Sequence, residues 1–176
     1  AVSVLTDGEL FKGNLEDLSK AREAISIPIL RKEFIVDKYQ ITEAKAYGAD
    51  IILLIAACLK KEEVQDFAAY AKQLGLNVLL EVHNEQELLD NLFDDIDAIG
   101  VNNRNLKDFS VDLQHSYDLL DKIPTEYIKV SESGISDPTT IRALKKAGFQ
   151  GFLIGENFMK TTNPSAAIEE FVASMV

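Results

Sequence analysis

One cysteine, Cys58, stands in 176 residues, so no disulfide can close within the chain. The two histidines, His83 and His115, hardly supply the ligands that a closed zinc site would need beside it. Basic residues are also scarce. Against 29 Asp and Glu there are 18 Lys and Arg, and the resulting charge of -11 repels nucleic acid and anionic membranes at long range. Any phosphate-bearing ligand must therefore be captured by local groups against the global field. Long hydrophobic runs are missing: the longest, over 51–59, is far short of the roughly 20 residues that cross a bilayer. The opening residues lack a basic stretch ahead of an apolar one, so no targeting leader is expected. Together these absences predict a reducing, cytoplasmic setting, with no nucleic-acid or membrane partner. No low-complexity segment or linker interrupts the chain.

What is present is 47% hydrophobic and 27% charged content, enough for one sizeable core and too little for two. A single domain over 1–176 is expected. Short apolar runs alternate with longer amphipathic segments from start to finish, which predicts strands at 1–5, 29–34, 51–56, 78–82, 98–102, 128–133 and 152–155. Each run is apolar on both faces, as in parallel strands covered on both sides. Helices are predicted over 15–25, 37–47, 60–74, 85–93, 112–123, 138–147 and 164–175. Gly48, Gly75 and Gly148 follow helix ends, where a left-handed residue closes the last turn. Asp137-Pro138 offers a cap with proline at the first helical position.

Strict βα alternation fits a barrel or a doubly wound sheet, and the polar residues help to choose. Lys32, Glu81, Asn102, Arg104, Glu132 and Ser133 fall at the C-terminal ends of at least four different strands. A common site built from them requires those ends to ring one face, as in a (β/α)8 barrel. About seven βα units are present, so the expectation is a parallel (β/α)8 TIM barrel lacking one unit. Alternation along a strand puts Lys32 and Phe34 on one face and Arg31 and Glu33 on the other.

Ser3-Val4-Leu5-Thr6-Asp7 with Phe11-Lys12-Gly13, then Pro28-Ile29-Leu30-Arg31-Lys32-Glu33-Phe34-Ile35, resembles the second and third βα units of indole-3-glycerol-phosphate synthases. The resemblance continues through Leu79-Leu80-Glu81-Val82, Gly100-Val101-Asn102-Asn103-Arg104-Asn105-Leu106, Ser131-Glu132-Ser133-Gly134-Ile135 and Phe152-Leu153-Ile154-Gly155. Single segments recur in related phosphate-binding barrels; all of them in this order are specific, and they cover essentially the whole chain. The family forms indole-3-glycerol phosphate from 1-(2-carboxyphenylamino)-1-deoxyribulose 5-phosphate, releasing carbon dioxide and water.

By resemblance, Lys32 is the acid that protonates the ketone oxygen and Glu81 the glutamate that moves protons during dehydration. Asn102 and Arg104 match positions that orient substrate and catalytic carboxylates, with the Arg104 guanidinium suited to the substrate's carboxylate, and Glu132 matches another glutamate in the family's site. Phe11, Phe34 and Leu106 match substrate contacts. Ser133, Gly134, Gly155 and Glu156 fall where such barrels hold phosphate, although a carboxylate at 156 must turn its side chain away. No metal or organic cofactor is implied. The family's first-strand glutamate and second lysine have no counterpart before Ala1, so an N-terminally truncated chain with little activity alone is expected, self-associating through exposed strand edges. The rival readings are a noncatalytic phosphate-binding barrel fragment and a related ribulose-phosphate barrel such as phosphoribosylanthranilate isomerase. Cys58 is expected to be a buried small hydrophobe, His83 a solvent-facing or capping loop residue, Asn103 and Asn105 turn residues, and 60–63 a solvated helix start.

Overall fold

A computed structural model describes residues 1–106 and 108–175. It divides into two compact units, Ala1–Ile99 and Gly100–Val176. In the first, β1 (Val2–Leu5), β2 (Ile29–Lys32), β3 (Ile51–Ile55) and β4 (Asn77–Val82) alternate with α1 (Leu15–Ala24), α2 (Lys38–Ala46), α3 (Lys61–Gln73) and α4 (Glu85–Asp90). A 3-10 turn, Ala56–Cys58, follows β3, and β5 (Ala98–Asn102) leads from the first unit into the second. There, α5 (Gln114–Leu120), β6 (Ile128–Glu132), α6 (Pro138–Ala147), β7 (Gly151–Leu153), α7 (Glu156–Met159) and α8 (Pro164–Ala173) follow.

Consecutive strands pair in parallel: β1 with β2 from Val2↔Ile29 to Leu5↔Lys32, β3 with β4 from Ile51↔Asn77 to Ile55↔Glu81, and β6 with β7 from Val130↔Gly151 to Glu132↔Leu153. This is the repeat of the (β/α)8-barrel class, with seven strands. The apolar runs of β3 and β4 are buried on both faces, as their composition predicts, whereas β1 leaves Val2 and Leu5 exposed. Leu18, Ile41 and Leu80 fill the core of the first unit; Leu144 and Phe149, with Phe158 and Phe171 edge to face, are buried in the second.

A two-point staple recurs along the chain. Asp50, just ahead of β3, donates its N–H to the Ile29 carbonyl and accepts the Ile29 N–H on Oδ2. Asp97 does the same with Val78, and Gln150 with Lys129. The staple fixes strand register at the N-terminal end and leaves the C-terminal ends to the loops that carry chemistry.

Helix starts follow the capping signals: Asn14, Asp37, Asn84, Asp137 and Asn163 each accept a backbone N–H of the first turn. Gly48, Gly75 and Gly148 close their helices at positive φ. Two helices are shorter than their periodicity suggests, α4 ending at Asp90 and α5 at Leu120. At four residues, α7 is too short to leave a period in the sequence.

Candidate active site

Side-chain alternation at the end of β2 separates two polar systems. Arg31 and Glu33, 3% and 7% exposed, turn toward α2 and form a closed network. Arg31 donates to Thr6 Oγ1 at 3.0 Å, the Gln40 carbonyl at 2.7 Å, Glu43 Oε2 at 2.8 Å and Glu33 Oε2 at 3.4 Å. Thr6 donates its hydroxyl to Glu33 Oε2 at 2.8 Å, and Glu33 Oε1 accepts the Phe34 N–H at 3.0 Å. Buried charges survive only when paired and hydrogen-bonded, and here the pairing ties Thr6, the residue after β1, to the residues flanking Lys32 and Phe34.

The opposite face carries Lys32, whose Nζ lies 3.4 Å from Glu81 Oε2. Glu81 is 4% exposed, so its carboxylate is largely cut off from water. Each partner favours the charged form of the other. Phe34 stacks on Phe11 with ring centroids 4.9 Å apart and planes 14° from parallel. The loop that carries Phe11 is held by Asp7, whose Oδ1 accepts the Phe11 N–H, and by the Gly13 N–H on the Asp7 carbonyl. Gly13 packs so closely on the Leu5 carbonyl that any Cβ there would collide with backbone.

Of the solvent-facing or capping roles expected for His83, the solvent-facing one does not hold, while the His83 backbone N–H, donated to Glu87 Oε2, is part of the start of α4. Its side chain is 11% exposed, with Nε2 3.2 Å from Glu81 Oε1 and Nδ1 3.5 Å from Glu87 Oε2, at ion-pair distance but off the in-line hydrogen-bond direction. Burial disfavours its charge, but the Glu81 and Glu87 carboxylates outweigh that and push its pKa up to about 9. A histidine with a folded pKa above its unfolded 6.5 stabilises the fold fully below pH 6.5 and loses that contribution as pH rises through about 9. With solvent screening, the loss is expected to be about 1–2 kcal/mol. Denaturant midpoints from pH 6 to 10 should therefore fall more steeply for the parent chain than for His83→Gln; parallel curves would contradict this.

Cys58 is also corrected: it is exposed on the 3-10 turn. Partial burial of the thiol, with Glu81 and Glu87 nearby, pushes its pKa above the usual value, which disfavours the thiolate. Lys60 and Lys61 do begin a solvated helix, with the Lys60 N–H on Glu63 Oε2 at 2.7 Å.

In the second unit Asn103 departs from its expected turn role. Asn102 makes the turn, its Oδ1 accepting the Arg104 N–H at 2.9 Å. Asn103, 3% exposed, is a buried clamp. Its Nδ2 donates to Ser131 Oγ, the Glu132 carbonyl and the Ser133 carbonyl at 3.1, 2.9 and 3.2 Å; its Oδ1 accepts from Ser116 N and Oγ at 3.1 and 2.8 Å. The clamp holds the end of β6, where Glu132 is 2% exposed and Ser133 and Gly134 take φ of 67° and 73°. A serine in the left-handed region stores strain of about 1–3 kcal/mol, and such strain concentrates at ligand sites. Gly134 is held to glycine by its left-handed φ of 73°, and a Cβ there would also push on the Val111 side chain.

Arg104 pairs with Glu156 at 2.7 Å, so the carboxylate at 156 is drawn to the guanidinium. With Glu156 74% exposed on its side chain, the pair is worth little and can be exchanged for another anion. Gly155 has open space around its Cα, and Leu106 is 48% exposed. Among the described residues, no cluster of three His, Cys, Asp or Glu side chains could hold a metal ion, and no helix is long and apolar enough to cross a membrane.

Parallel βα repeats with polar side chains at the strand ends define a (β/α)8-barrel protein. The chain belongs to the indole-3-glycerol phosphate synthase family, whose model matches residues 1–171. Among similar proteins are the indole-3-glycerol phosphate synthases of Bacteroides thetaiotaomicron, 49% identical over 99% of this chain and 67% of that protein, and of Sulfurimonas denitrificans, 44% identical over 97% and 65%. The chain thus spans about two thirds of the length of these relatives. Solved structures agree on the fold: a 3-hexulose-6-phosphate synthase superposes with a TM-score of 0.77 at 14% identity, covering 99% of this chain and 87% of that one. That of Salmonella typhimurium superposes at 0.74 and 13% identity, covering 100% and 88%.

Proposed function

We propose that this chain carries the ring-closing chemistry of indole-3-glycerol phosphate synthesis from 1-(2-carboxyphenylamino)-1-deoxyribulose 5-phosphate. The observation that carries the reading is the Lys32–Glu81 pair at 3.4 Å, backed by a buried network on the reverse of the same strand, in a chain of this family. Lys32 protonates the ketone oxygen as the aromatic carbon attacks, forming the new carbon–carbon bond. Loss of carbon dioxide restores electrons to the ring, and Glu81 moves the proton required for the hydroxyl to leave as water. The stacked Phe11 and Phe34 offer a flat apolar wall to an aromatic substrate.

In the second unit, the backbone of Ser133–Gly134 and the Ser133 hydroxyl receive the phosphate, with Gly155 leaving room for close approach. Arg104 exchanges Glu156 for the substrate's carboxylate, while Asn102, Glu132 and Leu106 border the ligand. The uses of local donors for phosphate answer the net charge of -11, which repels anions at long range.

Calorimetric titration with indole-3-glycerol phosphate tests this reading. Saturable binding is expected, weakened about tenfold by Ser133→Ala, the equivalent of one charge-assisted hydrogen bond. Absence of binding, or unchanged affinity in Ser133→Ala, would count against the phosphate assignment.

A further inference from the structure

We propose that His83 is a positioning residue that divides the Glu81 carboxylate, binding Oε1 so that Oε2 is left to Lys32. The inference rests on the reading above for the part that Glu81 plays, but its geometry stands apart from it.

Glu81 meets one cation on each oxygen: Lys32 Nζ lies 3.4 Å from Oε2 and His83 Nε2 lies 3.2 Å from Oε1. The second ring nitrogen of His83 faces Glu87 Oε2 at 3.5 Å. Two carboxylates within ion-pair distance of one buried ring favour its charged form, since an imidazolium is attracted to both and a neutral imidazole to neither.

Glu87 is itself fixed by the start of α4. It donates its N–H to Asn84 Oδ1 at 2.9 Å, accepts Asn84 Nδ2 on Oε1 at 2.6 Å and accepts the His83 N–H on Oε2 at 2.7 Å. The helix cap thus runs through Glu87 and His83 to the carboxylate beside Lys32. A capping box ordinarily satisfies the first backbone donors of a helix; here the same acidic residue also orients a ring two residues past the reactive glutamate. Burial raises the Glu87 pKa, but hydrogen bonds to His83 and Asn84 and the charge of His83 outweigh it and leave the carboxyl below its usual range, so it keeps its charge at neutral pH. Lys32, on Oε2 of Glu81, and Cys58 are further titratable groups near these carboxylates, and the raised thiol pKa of Cys58 keeps it neutral where His83 is charged.

The division has a chemical consequence. A buried carboxylate shared with an imidazolium is a weaker base than one paired to Lys32 alone, and its free rotation about χ3 is lost. Deprotonating His83 removes the positive charge beside Oε1, so the carboxylate is held less firmly in that orientation. Glu81 then changes its environment without itself titrating.

The experiment is carbon-13 NMR of the full 176-residue chain with labelled glutamate and histidine, titrated from pH 6 to 10. Only His115 competes as an imidazole signal, and Glu81→Gln identifies the Glu81 carboxyl resonance. The expected result is a His83 midpoint near 9 and an inflection of the Glu81 carboxyl at that same pH. His83→Gln, which keeps a donor but no titrating charge, should abolish the Glu81 inflection. Glu87→Gln, a change at the rim of the cluster, should move both midpoints down together by about one unit. A His83 that merely fills space would give no coupled inflection, and a midpoint near 6.5 or a Glu81 signal insensitive to both substitutions overturns the proposal. If the coupling is found but indole-3-glycerol phosphate does not bind, the functional reading falls and the division of Glu81 stands.

Discussion

Replacing Arg31 with leucine is expected to cost the fold about 3–5 kcal/mol, the range for removing one partner from a buried ion pair. The guanidinium satisfies Thr6, the Gln40 carbonyl, Glu33 and Glu43 at once. Leucine leaves the Glu33 carboxylate, 7% exposed, without its cation, and leaves the Gln40 carbonyl without this donor. Against a typical stability of about 5–15 kcal/mol, that loss is enough to unfold much of the population at modest denaturant. Arg31→Lys keeps one charge but cannot reach four acceptors in the planar fork of a guanidinium, and should recover only part of the loss. Replacing Arg31 and Glu33 together by apolar residues should cost less than the two single changes added, since no charge of that pair is then stranded. Urea denaturation of the three variants checks all of this, and an Arg31→Leu midpoint within experimental error of the parent would contradict the network's role.

The second large effect belongs to Asn103. Alanine there removes three donor contacts and two acceptor contacts from a site that is 3% exposed; the Ser133 carbonyl and the Ser131 and Ser116 hydroxyls each lose a partner, while Ser116 N keeps the Leu113 carbonyl and the Glu132 carbonyl keeps the backbone N–H of residue 103. At about 1–3 kcal/mol for each buried group left unsatisfied, with partial relaxation, a net loss of about 2–4 kcal/mol is expected. Asn103→Asp should be at least as damaging, because a carboxylate presents acceptors where the strand end presents carbonyls. The effect should also reach the ligand. Without the clamp, Ser133 can leave its φ of 67°, so phosphate affinity should fall in any variant that remains folded. Thermal unfolding with and without indole-3-glycerol phosphate separates the two: the parent should gain midpoint on adding ligand and Asn103→Ala should gain less.

These two residues mark where the sequence was and was not legible. The parity of 31–34 was readable, because alternation along a strand needs no tertiary information, and Arg31 and Glu33 do face away from Lys32. The partners were not readable: Thr6 and Glu43 are brought in by pairing of β1 with β2 and by the docking of α2. Asn103 looked like a turn residue because asparagine favours turns, yet the turn fell to Asn102 one position earlier. Nothing local distinguishes two adjacent asparagines; only the strand direction decides which one points into Ser116 and Ser131. His83 was misread for a related reason, since its two carboxylates come from the strand before it and the helix after it. The signal that could have found it is Glu87, four residues on and at the third position of a helix capped by Asn84, where an acidic side chain reaches back. Cys58 followed an apolar run and so looked buried, but a 3-10 turn carries it out to solvent.

Most strands and helices were legible, because short runs apolar on both faces and glycines after helix ends are local properties. Their ends were less so. Strand 29–34 stops at Lys32, and 152–155 becomes Gly151–Leu153, as the last residues turn into loops that serve side-chain hydrogen bonds rather than the ladder.

As the proton donor of ring closure, Lys32 should control turnover more than substrate binding. The most direct test supplies the family's first βα unit as a separate polypeptide, adds 1-(2-carboxyphenylamino)-1-deoxyribulose 5-phosphate, and follows the fluorescence of the indole product for the parent chain and for Lys32→Ala. Turnover by the parent is expected, with a kcat lower by about 10²–10⁴-fold in Lys32→Ala, the usual contribution of a general acid, and little change in KM. Equal kcat values for the two chains would contradict this role for Lys32.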